Sequence, residues 1–190
     1  MASLDQFEYE PLAKPRHIRL IILRPALSDT QPIICSLKEV SLDDYDHDND
    51  PLPYEALSYT WGAKHGTIPI TCDGQTLLVT PNCESALQHL RQKLKKRVLW
   101  IDAICIDQQS VQEKNEQVPL MGEIYVSATR AVIWLGPGLP GDAGMMLRAH
   151  LTGRMLYLRN MRGRPTLSDQ QRRRAAKFIC TCPTRSVTHL

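Results

Sequence analysis

Apolar and polar positions along the chain alternate between strand-like and helix-like periods. His17-Ile18-Arg19-Leu20-Ile21-Ile22-Leu23 is apolar and β-branched over seven residues and stops at Pro25, which reads as a strand. Ile33 to Val40 reads as a second. Tyr54-Glu55-Ala56-Leu57-Ser58-Tyr59-Thr60-Trp61-Gly62 is rich in β-favouring residues and runs into a loop at its Gly. Ile68–Cys72 and Gln75–Thr80 flank Asp73-Gly74, a pair that takes the positive φ angles of a tight turn, so this segment is expected to be a β-hairpin. Pro69 cannot donate to a ladder and places the first arm on an edge. The hairpin is therefore expected to be an appendage outside the parallel core.

Cys83, Ala86, Leu87, Leu90 and Leu94 recur at helical spacing, with Asn82 as the N-cap and Lys93, Lys95, Lys96 and Arg97 near the C-terminal end of the dipole. Val98 to Ile106 is apolar throughout except for Asp102, the pattern of a strand covered on both faces. Ser110-Val111-Gln112-Glu113 is a capping box that opens a helix carrying Val118, Met121, Ile124 and Tyr125, bent by Pro119. Ala131 to Leu135 is the third core strand. The succession βαβαβ predicts a parallel sheet with right-handed crossovers.

After Gly136 a Pro/Gly loop leads to a helix expected over Asp142 to Leu158, and from about residue 159 the low hydrophobicity predicts a basic tail without fixed structure. This gives a single α/β domain over 1–158, its patterned core at 54–136, and a tail at 159–190. The net charge of +3 hides a split: residues 148–190 hold ten Lys/Arg against Asp169, whereas residues 1–147 hold 13 bases against 19 acids. Such a tail could meet nucleic acid or anionic lipid, although nucleic acid is not the expected partner. No apolar run approaches the roughly 20 residues of a membrane span, and the N-terminus lacks a basic region followed by an apolar core. A cytoplasmic protein is expected, with its six irregularly spaced cysteines as free thiols.

Metal chemistry is not expected. Asp43 to Asp50 carries five aspartates, but the Gly and Glu of a calcium loop are missing, so it reads as a surface loop. Cys180-Thr181-Cys182 is too narrow for a zinc knuckle and lacks a fourth ligand. No glycine-rich phosphate loop is present. Two acids remain as candidates. Asp102 ends a buried strand where open α/β sheets place ligand-contacting groups, and its alternative role is to cap the following loop. Glu113 is the capping-box acid or lines a site beside Asp102. Ser58, Tyr59 and Trp61 end a strand at the same edge, where an aromatic ring either stacks on a ligand or packs in the core. Cys105 reads as a core filler, with no histidine near it in sequence to activate a thiolate.

Three blocks resemble the fungal heterokaryon incompatibility (HET) domain. The first is Tyr54 to Gly62, with Ser58, Tyr59, Trp61 and Gly62. The second is Leu99 to Gln108, with Trp100, Asp102, Cys105 and Gln108. The third holds Glu113, Gln117, Met121, Tyr125, Trp134 and Gly136. Asp107 stands where the family usually has Asn. The resemblance covers roughly Phe7 to Leu151, and family members typically continue much further, so a short form or an incomplete gene product is expected.

The resemblance implies a role in fungal self/non-self recognition, in which activation triggers programmed cell death through self-association or through another incompatibility protein. It implies a flavodoxin-like sheet, distantly similar to the TIR fold. That fold brings an alternative: an NAD glycohydrolase with Asp102 and Glu113 as candidate catalytic residues, NAD as substrate and no required cofactor. TIR enzymes carry their catalytic Glu on the helix after the third core strand, and Asp142 to Leu158 contains none. A further alternative is an inactive truncated remnant.

Overall fold

The computed structural model describes residues 5–43, 52–63 and 65–136, together with the backbone of 178–180. The strands are β1 (His17–Leu23), β2 (Ile34–Ser41), β3 (Glu55–Tyr59), β4 (Ile68–Cys72), β5 (Gln75–Val79), β6 (Arg97–Ile101), β7 (Arg130–Trp134) and β8 (Phe178–Cys180). They form one mixed sheet in the order β5-β4-β2-β1-β6-β3-β7-β8. The helices are α1 (Pro81–Leu90), α2 (Asp102–Cys105), α3 (Val111–Gln117) and α4 (Met121–Ser127).

β3 runs parallel to β6 on one side and to β7 on the other, and β8 continues the parallel set beyond β7. The chain goes from β3 to β6 on one flank, then crosses to β7 on the other, the start of a flavodoxin-like order. β1 pairs antiparallel with β6, and β2 antiparallel with β1. The N-terminal strands are thus an extension of the same sheet. The expected hairpin forms, with Asp73 at φ 49° and Gly74 at φ 83°. It is the outer end of the sheet, because β4 also pairs parallel with β2 through Cys35 and Cys72. Pro69 is tolerated on this inner strand because the pairing with β2 reaches only Thr71 and Cys72, leaving Pro69 beyond it.

Four local expectations are corrected. The cap of α1 is Thr80, whose side chain accepts from the Cys83 N–H; Pro81 takes the first helical position, where its missing N–H costs nothing. α1 ends at Leu90, so Lys93 to Lys96 lie in the connection to β6. The apolar run Val98 to Ile106 is two elements, because the chain turns at Asp102 into α2. The helix after Ser110 is broken into α3 and α4 by a 3-10 turn at Val118–Leu120 around Pro119, which leaves Val118 exposed.

The core lies along the middle strands, where Ile18, Leu20, Leu57, Leu99, Trp100 and Ile101 are fully buried. No helix among the described residues is long and apolar enough to cross a membrane. The Asp-rich segment from residue 44, the helix expected over Asp142 to Leu158 and the tail lie outside the described residues, except for β8.

Candidate functional site

The parallel strands β6, β3 and β7 end at one edge of the sheet. Register sets Ile101 beside Leu57 and Tyr59 beside Trp134. Asp102 therefore leaves β6 next to the loop that carries Trp61 out of β3. The indole Nε1–H of Trp61 donates to both carboxylate oxygens of Asp102, at 3.1 Å each. The Ala103 N–H donates to Asp102 Oδ1 at 2.7 Å, so the same carboxylate also holds the backbone of the turn it opens. Gln108 Nε2 donates to the carbonyls of Asp102 and Ile106, at 2.8 and 3.2 Å, and holds the turn closed.

Burial drives the Asp102 carboxyl above its ordinary pKa, and the two N–H donors oppose that rise. Among the described residues no Lys or Arg forms an ion pair with it. A half-buried acid held by neutral donors, with its pKa raised by burial, is a candidate functional group.

Asn82 occupies the crevice between β3 and β7, where strand order reverses. Its Nδ2 donates to the Thr60 carbonyl at 2.5 Å, and its Oδ1 accepts from Trp134 Nε1 at 2.9 Å. Trp134 also lies against the His89 ring at 4.8 Å between centroids. Gly62 and Gly136 close the two loops at φ 73° and 98°, values that L side chains adopt at a cost. Ser58 is exposed on β3.

Glu113 has a different setting. It receives Arg19 in a two-pronged ion pair, at 2.5 and 3.0 Å, and Oε1 also accepts from the Asp107 N–H at 2.8 Å. Arg19 is 5% exposed and further donates to the carbonyls of Cys105 and Glu10. Ser110 does cap α3 through the Glu113 N–H, but the carboxylate of the expected reciprocal box is spent on Arg19 instead. The two candidate acids thus have separate partners: Asp102 faces Trp61 and Glu113 faces β1.

The remaining motif residues tie elements together. Gln117 Nε2 donates to the His17 carbonyl and Tyr125 Oη to that of Leu57, each at 2.9 Å. Trp100 is fully buried, edge-on to Tyr125, and its Nε1 has no hydrogen-bond partner among the described residues. Met121 packs partly buried against the core. Cys105 is buried, its Sγ accepts from the Ile101 N–H at 3.4 Å, and burial pushes its thiol up to about 12. Tyr59 is also held above its ordinary value by burial. Arg19 and the crevice role of Asn82 are absent from the sequence reading. Arg19 stands as a charge inside an apolar run, the same irregularity that singles out Asp102.

The chain matches the heterokaryon incompatibility protein (HET) family over residues 54–185. It belongs to that family. The HET domain is also similar to the heterokaryon incompatibility protein 6, OR allele, of Neurospora crassa, with 36% identity over 158 residues. That alignment covers 76% of this chain and 22% of the relative, so the chain spans about a fifth of its relative's length. No solved structure matches this chain. All three motif blocks lie within the matched span, and they supply both residues of the Trp61–Asp102 contact.

Proposed function

We propose that this chain acts in heterokaryon incompatibility, as the name of its Neurospora relative states for that protein, and that its output is programmed cell death. The domain works in the cytoplasm by self-association or by pairing with another incompatibility protein, and Asp102 with Trp61 forms the part of the surface that transmits the signal. One observation carries this assignment: Asp102 is half-buried at the strand edge without a cation paired to it among the described residues. A purely structural acid at that depth would be expected to pair with a base, as Glu113 does with Arg19. Inducible expression in a fungal host, scored by growth and dye exclusion, tests the reading. The wild-type chain is expected to kill and Asp102→Asn to be silent.

A second reading is cleavage of NAD at the nicotinamide–ribose bond. It is supported by the placement of a carboxyl beside a partly exposed indole next to the strand-order reversal. There the anion would stabilise an oxocarbenium-like transition state, as in glycoside cleavage. Nicotinamide release by purified protein at high concentration distinguishes this reading from the first, and inactivity in both assays identifies a remnant.

A further inference from the structure

The opposite edge of the sheet carries a surface unrelated to the acid site. β1 ends and β6 begins there, with Leu23 paired to Arg97. Two connections, residues 24–33 and 91–96, lie side by side and are fastened together. The Ala26 N–H donates to the Gln92 carbonyl at 3.1 Å. Arg91 spends its guanidinium on four carbonyls of the first loop, those of Ser28, Asp29, Gln31 and Pro32, at 2.9 to 3.3 Å. Gln31 Oε1 in turn accepts from the N–H groups of Leu27 and Ser28.

This well-bonded ridge presents two leucines to solvent: Leu27 is 72% exposed and Leu94 83%. Folding ordinarily removes such side chains from water, and here the loops are pinned in a shape that keeps them out. Around them stand Arg24, Lys93, Lys95 and Lys96, all exposed and none in an ion pair with a described residue. Arg97, by contrast, shares the carboxylate of Glu55 with Arg130.

We propose that this ridge is a peripheral membrane-docking surface for the anionic leaflet of a bilayer. The leucines would enter the headgroup and acyl boundary while the lysines meet acidic lipid phosphates and carboxylates. Charge alone would equally suit a nucleic-acid backbone. Two protruding leucines favour the acyl boundary of a bilayer, since single-stranded sites rely on aromatic stacking and most duplex contacts are made by polar donors. Docking through this edge turns the Trp61–Asp102 edge away from the lipid and leaves it open to a partner or ligand. The proposal is independent of what Asp102 does.

Sedimentation of the full chain with vesicles of phosphatidylcholine, with and without phosphatidylserine, tests it. Binding is expected with phosphatidylserine only, and it should weaken as salt is raised. Each basic residue near such a surface contributes about fivefold, so replacing Lys93, Lys95 and Lys96 together by Gln should weaken binding about a hundredfold. Leu27→Ser with Leu94→Ser, which leaves the charge intact, should weaken it about a hundredfold. Circular dichroism checks that both variants fold. Equal binding to neutral vesicles overturns the proposal. So does binding that both variants retain, which would assign it to the basic residues beyond Arg148. Loss with the lysine variant only, together with equal competition by duplex DNA, makes the ridge a nucleic-acid surface instead.

Discussion

The indole N–H of Trp61 is shared between both oxygens of Asp102 across 41 residues of sequence, at 3.1 Å to each. The contact joins the loop after β3 to the turn after β6, two neighbouring parallel strands whose ends define the candidate site. It stabilises the anion of Asp102 and so works against the burial that favours the neutral acid. Trp61→Phe keeps most of the ring area and removes the donor. The Asp102 pKa is then expected to rise further, read by carbon NMR titration of its carboxyl group; an unchanged value would show that the indole hydrogen bond contributes nothing.

The Arg19–Glu113 pair predicts the opposite behaviour from a functional acid. Both partners are buried, and removing one strands the other's charge. Glu113→Ala should lose about 3–5 kcal/mol of stability in urea denaturation. Arg19→Leu combined with Glu113→Leu should recover a large part of that loss, since the stranded charge is gone.

Thr80 and Asn82 separate capping from site architecture. Thr80→Ala should cost about 1 kcal/mol through the lost cap of α1. Asn82→Ala leaves that cap intact but cuts the links from Thr60 to Trp134 across the β3/β7 crevice. It is expected to increase amide exchange at Thr60 to Gly62 and around Leu135, with the amides of α1 protected as before.

The central strands were legible because a period of two and a period of 3.6 leave different marks on an apolar sequence. The end of β6 was not: Val98 to Ile106 is uniformly apolar apart from Asp102, and nothing in such a run says where a strand turns into a helix. Asn82 looked like a cap because capping residues and hydrogen-bonding residues at a crevice are the same residue types. Thr80, followed by Pro81, carried the competing signal. Glu113 fitted a local capping box, and only its partner, 94 residues away on β1, redirects the carboxylate. Asp102 was visible as an acid in an apolar run, but its contact with Trp61 required knowing that β3 and β6 are neighbours.

The pH dependence of stability follows from the raised pKa of Asp102. The folded protein holds this proton to higher pH than the unfolded chain does. The stabilisation is fully present below the unfolded carboxylate range and is lost as pH rises through the folded value. Asp102→Asn removes that slope. The stability of the wild-type chain relative to the variant is therefore expected to fall as pH is raised from about 3 toward 7, measured by urea midpoints. A relative stability that rises with pH would mean that the anion is favoured by the fold.

Asp102→Asn examined for stability and output together is the most direct test of the account. The substitution preserves volume and an acceptor for the Trp61 and Ala103 N–H groups while removing the charge. The predicted result is an unfolding midpoint at neutral pH equal to or above that of the wild-type chain, with the cell-death response lost on expression in the fungal host. A fall in the midpoint that accompanies the loss of response would make Asp102 a scaffold residue, and a full response from a stable Asn variant would remove it from the site.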